Sequence, residues 1–458
     1  MKHDTITAIA TPPGTGGIAV IRLSGPDALS ILDKVWTGTS PLTFIPRTAH
    51  LGTINDPKDI PVDQTVAIYF KAPASFTGED TIEISCHGSQ FIQRQILHTL
   101  VSAGARTAQP GEFTRRAFLN GKIDLTQAEA IADLIAASSQ AAHDIALTQT
   151  KGQFSDELRN LREQLLQLTS LLELELDFSE EDVQFADRKA LVNLATHIRN
   201  RIQRLTDSYA SGNVIKKGIS VAIAGAPNTG KSTLLNHLAG DDKAIVSDIP
   251  GTTRDTIEAT ASINGLDFRF IDTAGLRHTN DSIENLGIGR ALTQLTRADF
   301  ILWLIDPNLP TDPQLDLLRN HLSTIRATPH LILLTKSDLG ITVPSNLNKI
   351  LPQDTPILRI SALTGQGIDE IIRIITGKFL NAYNPRQETI IANARHYEAL
   401  IHAQESIERV LNGLDNGLNS DMISADLREI LHHLGTVTGS ITTPDILTTI
   451  FSRFCIGK

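Results

Sequence analysis

Between Gly225 and Thr233 the chain reads Gly-Ala-Pro-Asn-Thr-Gly-Lys-Ser-Thr, a complete GxxxxGK[ST] spacing. It follows an apolar run, Ile219 to Ala224, and precedes the helix-like Leu234-Leu235-Asn236-His237-Leu238. A strand, a glycine-rich turn and a helix in that order let backbone N–H groups close around phosphate oxygens. Lys231 can then reach the β and γ phosphates, and the Ser232 hydroxyl is placed to bind Mg²⁺.

The surrounding pattern agrees with that turn. Strand-like runs at 219–224, 267–271, 300–305, 330–334 and 357–360 alternate with helical stretches, which implies a parallel α/β sheet. Upstream, Gly/Pro turns separate the runs Gly17 to Leu23, Gln64 to Phe70 and Thr81 to Cys86, and a helix is expected from Phe91 to Ala103, giving an α+β region. From Asp124 to Tyr209 the pattern is helical. Leu158, Leu161, Leu165, Leu168 and Leu172 recur at spacings of three and four, the stripe of a helix-bundle core. After Asn384-Pro385 the chain is helical again through Leu434. The expected fold is multidomain, α/β plus α. It has an α+β domain at 1–119, a helical domain in two halves at 120–217 and 381–458, and a phosphate-loop domain at 218–380 inserted between them.

Composition narrows the partners. The net charge of −10 opposes a simple nucleic-acid sleeve, because phosphate binding rests on Lys and Arg, so a partner is expected to do much of any nucleic-acid holding. Two cysteines, Cys86 and Cys455, make no disulfide framework. No apolar h-region follows Met1-Lys2-His3-Asp4, and the strongly apolar stretches are strand-sized, so a soluble cytoplasmic protein with no membrane partner is expected.

Further motifs specify the nucleotide. Asp272-Thr273-Ala274-Gly275 follows a strand, where Asp272 can hold Mg²⁺ through water and the Gly275 N–H can meet the γ-phosphate. In Gly251-Thr252-Thr253-Arg254-Asp255 the Thr253 hydroxyl completes the Mg²⁺ shell begun by Ser232. Thr335-Lys336-Ser337-Asp338 resembles the NKxD element: Asp338 can accept both N1–H and N2–H₂ of guanine, a pair that adenine lacks. Ser361-Ala362-Leu363 resembles the loop whose alanine N–H meets guanine O6. Together these predict GTP, with base rejection resting on polar groups left without partners by the wrong base. Thr335 stands where asparagine is usual and loses an amide able to tie the base loop to the phosphate loop, which predicts weakened affinity. Leu276 occupies the position of the glutamine that orients water in small GTPases, so another group must serve. Glu284 is either that carboxylate, acting through a bridging water, or a solvated helix charge.

With these placed, the remaining segments form a pattern: Thr11-Pro12-Pro13-Gly14-Thr15-Gly16-Gly17, Thr77-Gly78-Glu79-Asp80, Pro110-Gly111-Glu112-Phe113-Thr114, Arg116-Ala117-Phe118-Leu119-Asn120, Asp124 to Ile131, and the terminal Phe454-Cys455-Ile456-Gly457-Lys458. Over its whole length the chain resembles the MnmE (TrmE) family of tRNA modification GTPases. The resemblance implies an N-terminal tetrahydrofolate-binding domain that forms a homodimer. It also implies an FAD-carrying flavoprotein partner, MnmG (GidA), in a hetero-oligomer, and installation of an aminomethyl-type group at C5 of the wobble uridine of certain tRNAs. The one-carbon donor would be a 5-formyl- or 5,10-methylene-tetrahydrofolate, held by Arg22, Glu79, Lys122 and Lys458. Nucleotide contacts would run through Asn228, Thr229, Gly230, Lys231, Ser232 and Thr233, through Ser247, Asp248, Ile249, Pro250, Gly251, Thr252 and Thr253, and through the motifs above. GTPase domains would pair on GTP binding, with K⁺ held by Asn228, Ser247, Ile249 and Thr252 where an arginine finger would otherwise act. Glu284 would orient water, and Lys231 and Cys455 would complete the catalytic set. Two other readings stay open: a GTP-dependent RNA or ribosome assembly factor, and a non-enzymatic GTP switch on a partner enzyme.

Overall fold

The computed structural model of the chain describes residues 4–177, 188–240, 258–272, 293–340, 346–352, 355–380, 389–452, 454–455 and 457. The chain divides into two compact units, one of Met1–Ile135, Leu147–Arg199 and His402–Lys458, the other of Ala136–Ala146 and Asn200–Ile401. No described helix is long and apolar enough to cross a membrane.

The first unit carries a seven-stranded sheet built from β1 (Ile6–Ile9), β2 (Gly16–Ser24), β3 (Trp36–Gly38), β4 (Ala49–Asn55), β5 (Pro61–Phe70), β6 (Thr81–Gly88) and β7 (Arg106–Thr107). Its order is β3-β4-β5-β6-β2-β1-β7, antiparallel except for the β1–β7 pair. Side chains alternate across a strand, so Ala19, Ile21 and Leu23 of β2 share a buried face with Ile82, Ile84 and Cys86 of β6. Ile31, Leu32, Ile96 and Leu100, from helices Ala28–Asp33 and Gln90–Ser102, join the same core. The runs expected at 17–23, 64–70 and 81–86 lie on β2, β5 and β6. Strands β1, β3 and β7 have four residues or fewer, too short for periodicity to register. Burial also raises the Cys86 thiol to about 11, an inert packed cysteine.

The leucine stripe lies in the helix Gln153–Asp177, where Leu165 and Leu168 are fully buried, and this helix packs against Ser420–Thr438. The last helix, Pro444–Phe451, is capped by the Thr443 hydroxyl, which accepts from the Ile446 N–H. Its Leu447, Ile450 and Phe451 pack with Phe454 on Leu125 and Ala128.

The second unit carries β8 (Ile219–Gly225), β9 (Glu258–Ile263), β10 (Leu266–Asp272), β11 (Phe300–Ile305), β12 (His330–Leu334) and β13 (Ile357–Arg359), in the order β13-β12-β11-β8-β10-β9. Every residue of β8 and β11 is buried, which is why these strands read as continuous apolar runs rather than alternating ones. Five strands are parallel, as expected; β9 is an antiparallel edge paired with β10. The cause is local: Asn264 and Gly265 both have positive φ, +52° and +79°, the two-residue turn that matches strand twist. Because β8 lies between β10 and β11, its carboxyl end is a topological switch point, the place where open α/β sheets bind ligands.

Leu168→Ala is expected to destabilise the fold by ~2–5 kcal/mol, since a fully buried leucine leaves a cavity. Leu166→Ala, at a 39%-exposed position on the same helix, should cost less than ~1 kcal/mol. Urea unfolding of the two variants checks the difference.

Candidate nucleotide-binding site

The phosphate loop leaves the carboxyl end of β8 and enters the helix Lys231–Ala239 through Gly230. A β-carbon at Gly225 would lie 2.4 Å from the Leu304 carbonyl oxygen of β11, so only glycine lets the loop begin this close to the neighbouring strand. Asn228 and Gly230 have φ of +64° and +93°, and the buried Thr229 hydroxyl donates to the Ala226 carbonyl at 2.7 Å. The Lys231 ammonium lies over the loop, donating to the Gly225 and Ala226 carbonyls at 3.1 and 3.0 Å. The first N–H groups of the helix, including those of Ser232 and Thr233, carry the positive end of its dipole.

Two elements converge at the loop's exit. The Ser232 hydroxyl donates to Asp272 Oδ2 at 3.3 Å. Asp272 ends β10 and is 6% exposed, and its Oδ1 is buried with no hydrogen-bond partner among the described residues. A buried carboxylate oxygen left in this way is costly unless something completes it. A hydroxyl and a carboxylate at the mouth of a phosphate loop are hard oxygen donors suited to Mg²⁺.

The base-reading segments are fastened to the same sheet. Thr335 is 3% exposed; its N–H and its hydroxyl both donate to the Ile305 carbonyl of β11, at 2.9 and 3.4 Å. Lys336 has φ of +59° and lies 2.7 Å from Oδ2 of Asp306, which is fully buried. The Ser337 N–H donates to the Ile360 carbonyl at 3.0 Å and its hydroxyl to Gln366 Oε1 at 3.0 Å, joining this loop to the turn that holds Ser361, Ala362 and Leu363. Asp338 is exposed in the short 3₁₀ turn Ser337–Leu339, and Leu363 is 81% exposed. Asp306 escaped the motif reading; its signal is a lone charge directly after the all-apolar strand Phe300–Ile305.

Within the first unit, Arg22 on β2 reaches Glu83 Oε1 at 2.7 Å, and its guanidinium lies 5.3 Å from the Phe76 ring centroid and 5.6 Å from that of Phe113. Glu79 accepts from Arg116 at 3.1 Å and from the Ser24 hydroxyl at 3.1 Å. Lys122 donates to the Pro73 carbonyl at 2.9 Å, and its stem packs beside Gly78. Arg22, Glu79 and Lys122 thus all contact the 73–79 segment or belong to it. Cys455 is exposed, its carbonyl accepting from the Gly111 N–H at 3.4 Å. Ser247, Asp248, Ile249, Pro250, Gly251, Thr252, Thr253, Thr273, Ala274, Gly275, Leu276, Glu284 and Lys458 lie outside the described residues.

Beneath this segment Asp4, Arg106, Glu112 and Arg116 form an ion network. The hydrogen bond from Arg106 holds the Asp4 carboxyl below its ordinary 3.8, against its burial and with Arg116 assisting. Burial pushes Glu112 up, but Arg106, the Gln109 N–H and Arg116 together outweigh it and hold the carboxyl below 4.5. Depressed folded-state values mean that this stabilisation is complete above the unfolded values and is lost as pH falls through the folded ones. Stability is therefore expected to decline as the pH drops below about 5, and Glu112→Gln should flatten that decline in thermal melts across pH 3 to 7.

A family model described as "MnmE helical domain" matches residues 125–455, and one described as "GTP-binding protein TrmE N-terminus" matches residues 5–122. The chain is 46% identical to the tRNA modification GTPase MnmE of Cytophaga hutchinsonii over 99% of this chain and 98% of that one. It is 47% identical to that of Parabacteroides distasonis over 99% and 100%. Among solved structures it is similar to Aquifex aeolicus Era bound to GDP and AlF4⁻, at 28% identity and a TM-score of 0.29, covering 41% of this chain and 66% of that one.

Proposed function

The chain belongs to the MnmE (TrmE) family of tRNA modification GTPases, and from that premise we propose that it hydrolyses GTP at the phosphate loop to time a one-carbon modification of the wobble uridine in tRNA. The observation that carries this reading is the pairing of Ser232 with Asp272, whose buried second oxygen has no described partner. Ser232 and Asp272 would hold Mg²⁺, which would supply positive charge against the negative charge that develops on the phosphate oxygens. Lys231 exchanges its two carbonyl partners for phosphate oxygens, and the helix N–H groups hold the oxygens that it does not reach. Asp338 accepts from the guanine edge, while Ala362 donates to O6.

Glu284 orients the attacking water in place of the glutamine replaced by Leu276. Asn228, Ser247, Ile249 and Thr252 would hold K⁺, which would supply the positive charge of an arginine finger, worth up to ~10³ to 10⁵ in rate where an arginine provides it. The GTPase domains pair to complete this site, and the N-terminal domains hold the homodimer together.

The folate derivative binds at Arg22, Glu79, Lys122 and Lys458. A guanidinium between Phe76 and Phe113 and a nearby lysine suit a flat ring joined to an anionic glutamate tail. Glu79 retains acceptor capacity for a pterin edge beside its bonds to Arg116 and Ser24. The flavoprotein partner MnmG brings FAD and, given the net charge of −10, much of the hold on tRNA. Cys455 lies in the same terminal segment as Lys458.

Asp272→Asn is expected to lower Mg²⁺-dependent phosphate release by ~10²-fold or more, and the wild-type rate should be far higher in K⁺ than in Na⁺. Equal rates in the two salts would remove the cation from the reading. The whole proposal is tested by mass spectrometry of wobble nucleosides after incubating unmodified tRNA with this protein, the flavoprotein, methylene-tetrahydrofolate, glycine or ammonium, and GTP. Modified uridine should appear only in the complete mixture; its appearance without this chain would overturn the proposal.

A further inference from the structure

Asp306 is a fully buried carboxylate that the chemistry above does not use. It directly follows β11 and is held from several sides. Its N–H donates to Gln314 Oε1 at 2.9 Å, its carbonyl accepts from Gln314 Nε2 at 2.8 Å, and its Oδ1 accepts from the Asn308 N–H at 2.9 Å. Its Oδ2 faces the Lys336 ammonium at 2.7 Å, an ionic contact lying outside hydrogen-bond geometry. A buried carboxylate is costly unless it is paired, and the lysine at this distance supplies the opposite charge.

Lys336 is itself in an unusual state. Its φ of +59° is a left-handed conformation that non-glycine residues adopt at a cost. The turn it produces directs the Ser337 N–H to the Ile360 carbonyl and sets the 3₁₀ turn that presents Asp338. The neighbouring Thr335 hydroxyl points to the Ile305 carbonyl, so residue 335 anchors to β11.

We propose that Asp306 is a positioning residue for guanine selection: its carboxylate holds Lys336 in the left-handed turn, and that turn aims Asp338 at the base. Anchoring to β11 through Ile305 and Asp306 takes the place of the asparagine side chain absent at 335. The proposal rests on the GTP reading above and identifies what sets its base specificity.

The test measures GDP and IDP affinities by calorimetry on the full chain. IDP lacks the N2 amine, so the ratio of the two constants reports the aim of Asp338 and is insensitive to general loosening. The wild type is expected to prefer GDP by about tenfold or more. If it binds GDP no better than ADP, the GTP reading itself fails. Given a selective wild type, Asp306→Asn should lower the GDP-to-IDP preference toward one. Lys336→Gly, which adopts the turn without strain but lacks the ammonium, should make a subsequent Asp306→Asn nearly silent for that ratio. A wild-type ratio in Asp306→Asn, or fully additive effects in the double variant, would overturn the proposal. Thermal melts establish folding; if Asp306→Asn does not fold, Lys336→Met, which loses the ammonium but keeps a side chain that resists the left-handed turn, decides alone: its ratio should fall toward one, and a wild-type ratio there would overturn the proposal.

Discussion

Three successive residues at the carboxyl end of β11 hold the nucleotide site together. The Leu304 carbonyl closes against Gly225, where the phosphate loop begins; the Ile305 carbonyl accepts twice from Thr335; the Asp306 carboxylate faces Lys336. The two loops that must grip opposite ends of one nucleotide are thus referred to a single strand end. That strand is buried along its length, and its hydrogen bonds to β8 and β12 leave it little freedom to shift. Loop positions are only as well defined as the element that carries them, and here that element is the middle of a covered sheet.

The arrangement gives a physical account of the threonine in the base motif. An asparagine amide there could span to the phosphate loop, and Thr335 cannot. The structure shows the hydroxyl turned to the strand, and Ser337 tied to both Ile360 and Gln366. Among the described residues, the base loop is anchored to β11 and to the turn after β13.

The first unit solves a different problem. Charged side chains around the 73–79 segment are supported by the network of Asp4, Arg106, Glu112 and Arg116, which also holds Glu79 through Arg116. Arg22 lies between two aromatic rings and a glutamate. Such surroundings orient a guanidinium while leaving it ionised.

The primary sequence alone determined whatever depends on near neighbours. The strand before Gly225, the glycine spacing and the helix start are local, so the phosphate site was readable. The stripe from Leu158 to Leu172 was readable for the same reason, because burial of one helix face repeats every three or four residues. The β9–β10 hairpin was also written locally, in Asn264-Gly265 between the alternating flanks 258–263 and 266–270. Tertiary structure decided what joins distant segments. Asp306 and Lys336 are thirty residues apart, Ser232 and Asp272 forty, and Arg22 and Glu83 sixty-one. Nothing in the spacing of such pairs encodes their meeting: it follows from strand order and register, which the chain reaches only when its whole core is assembled.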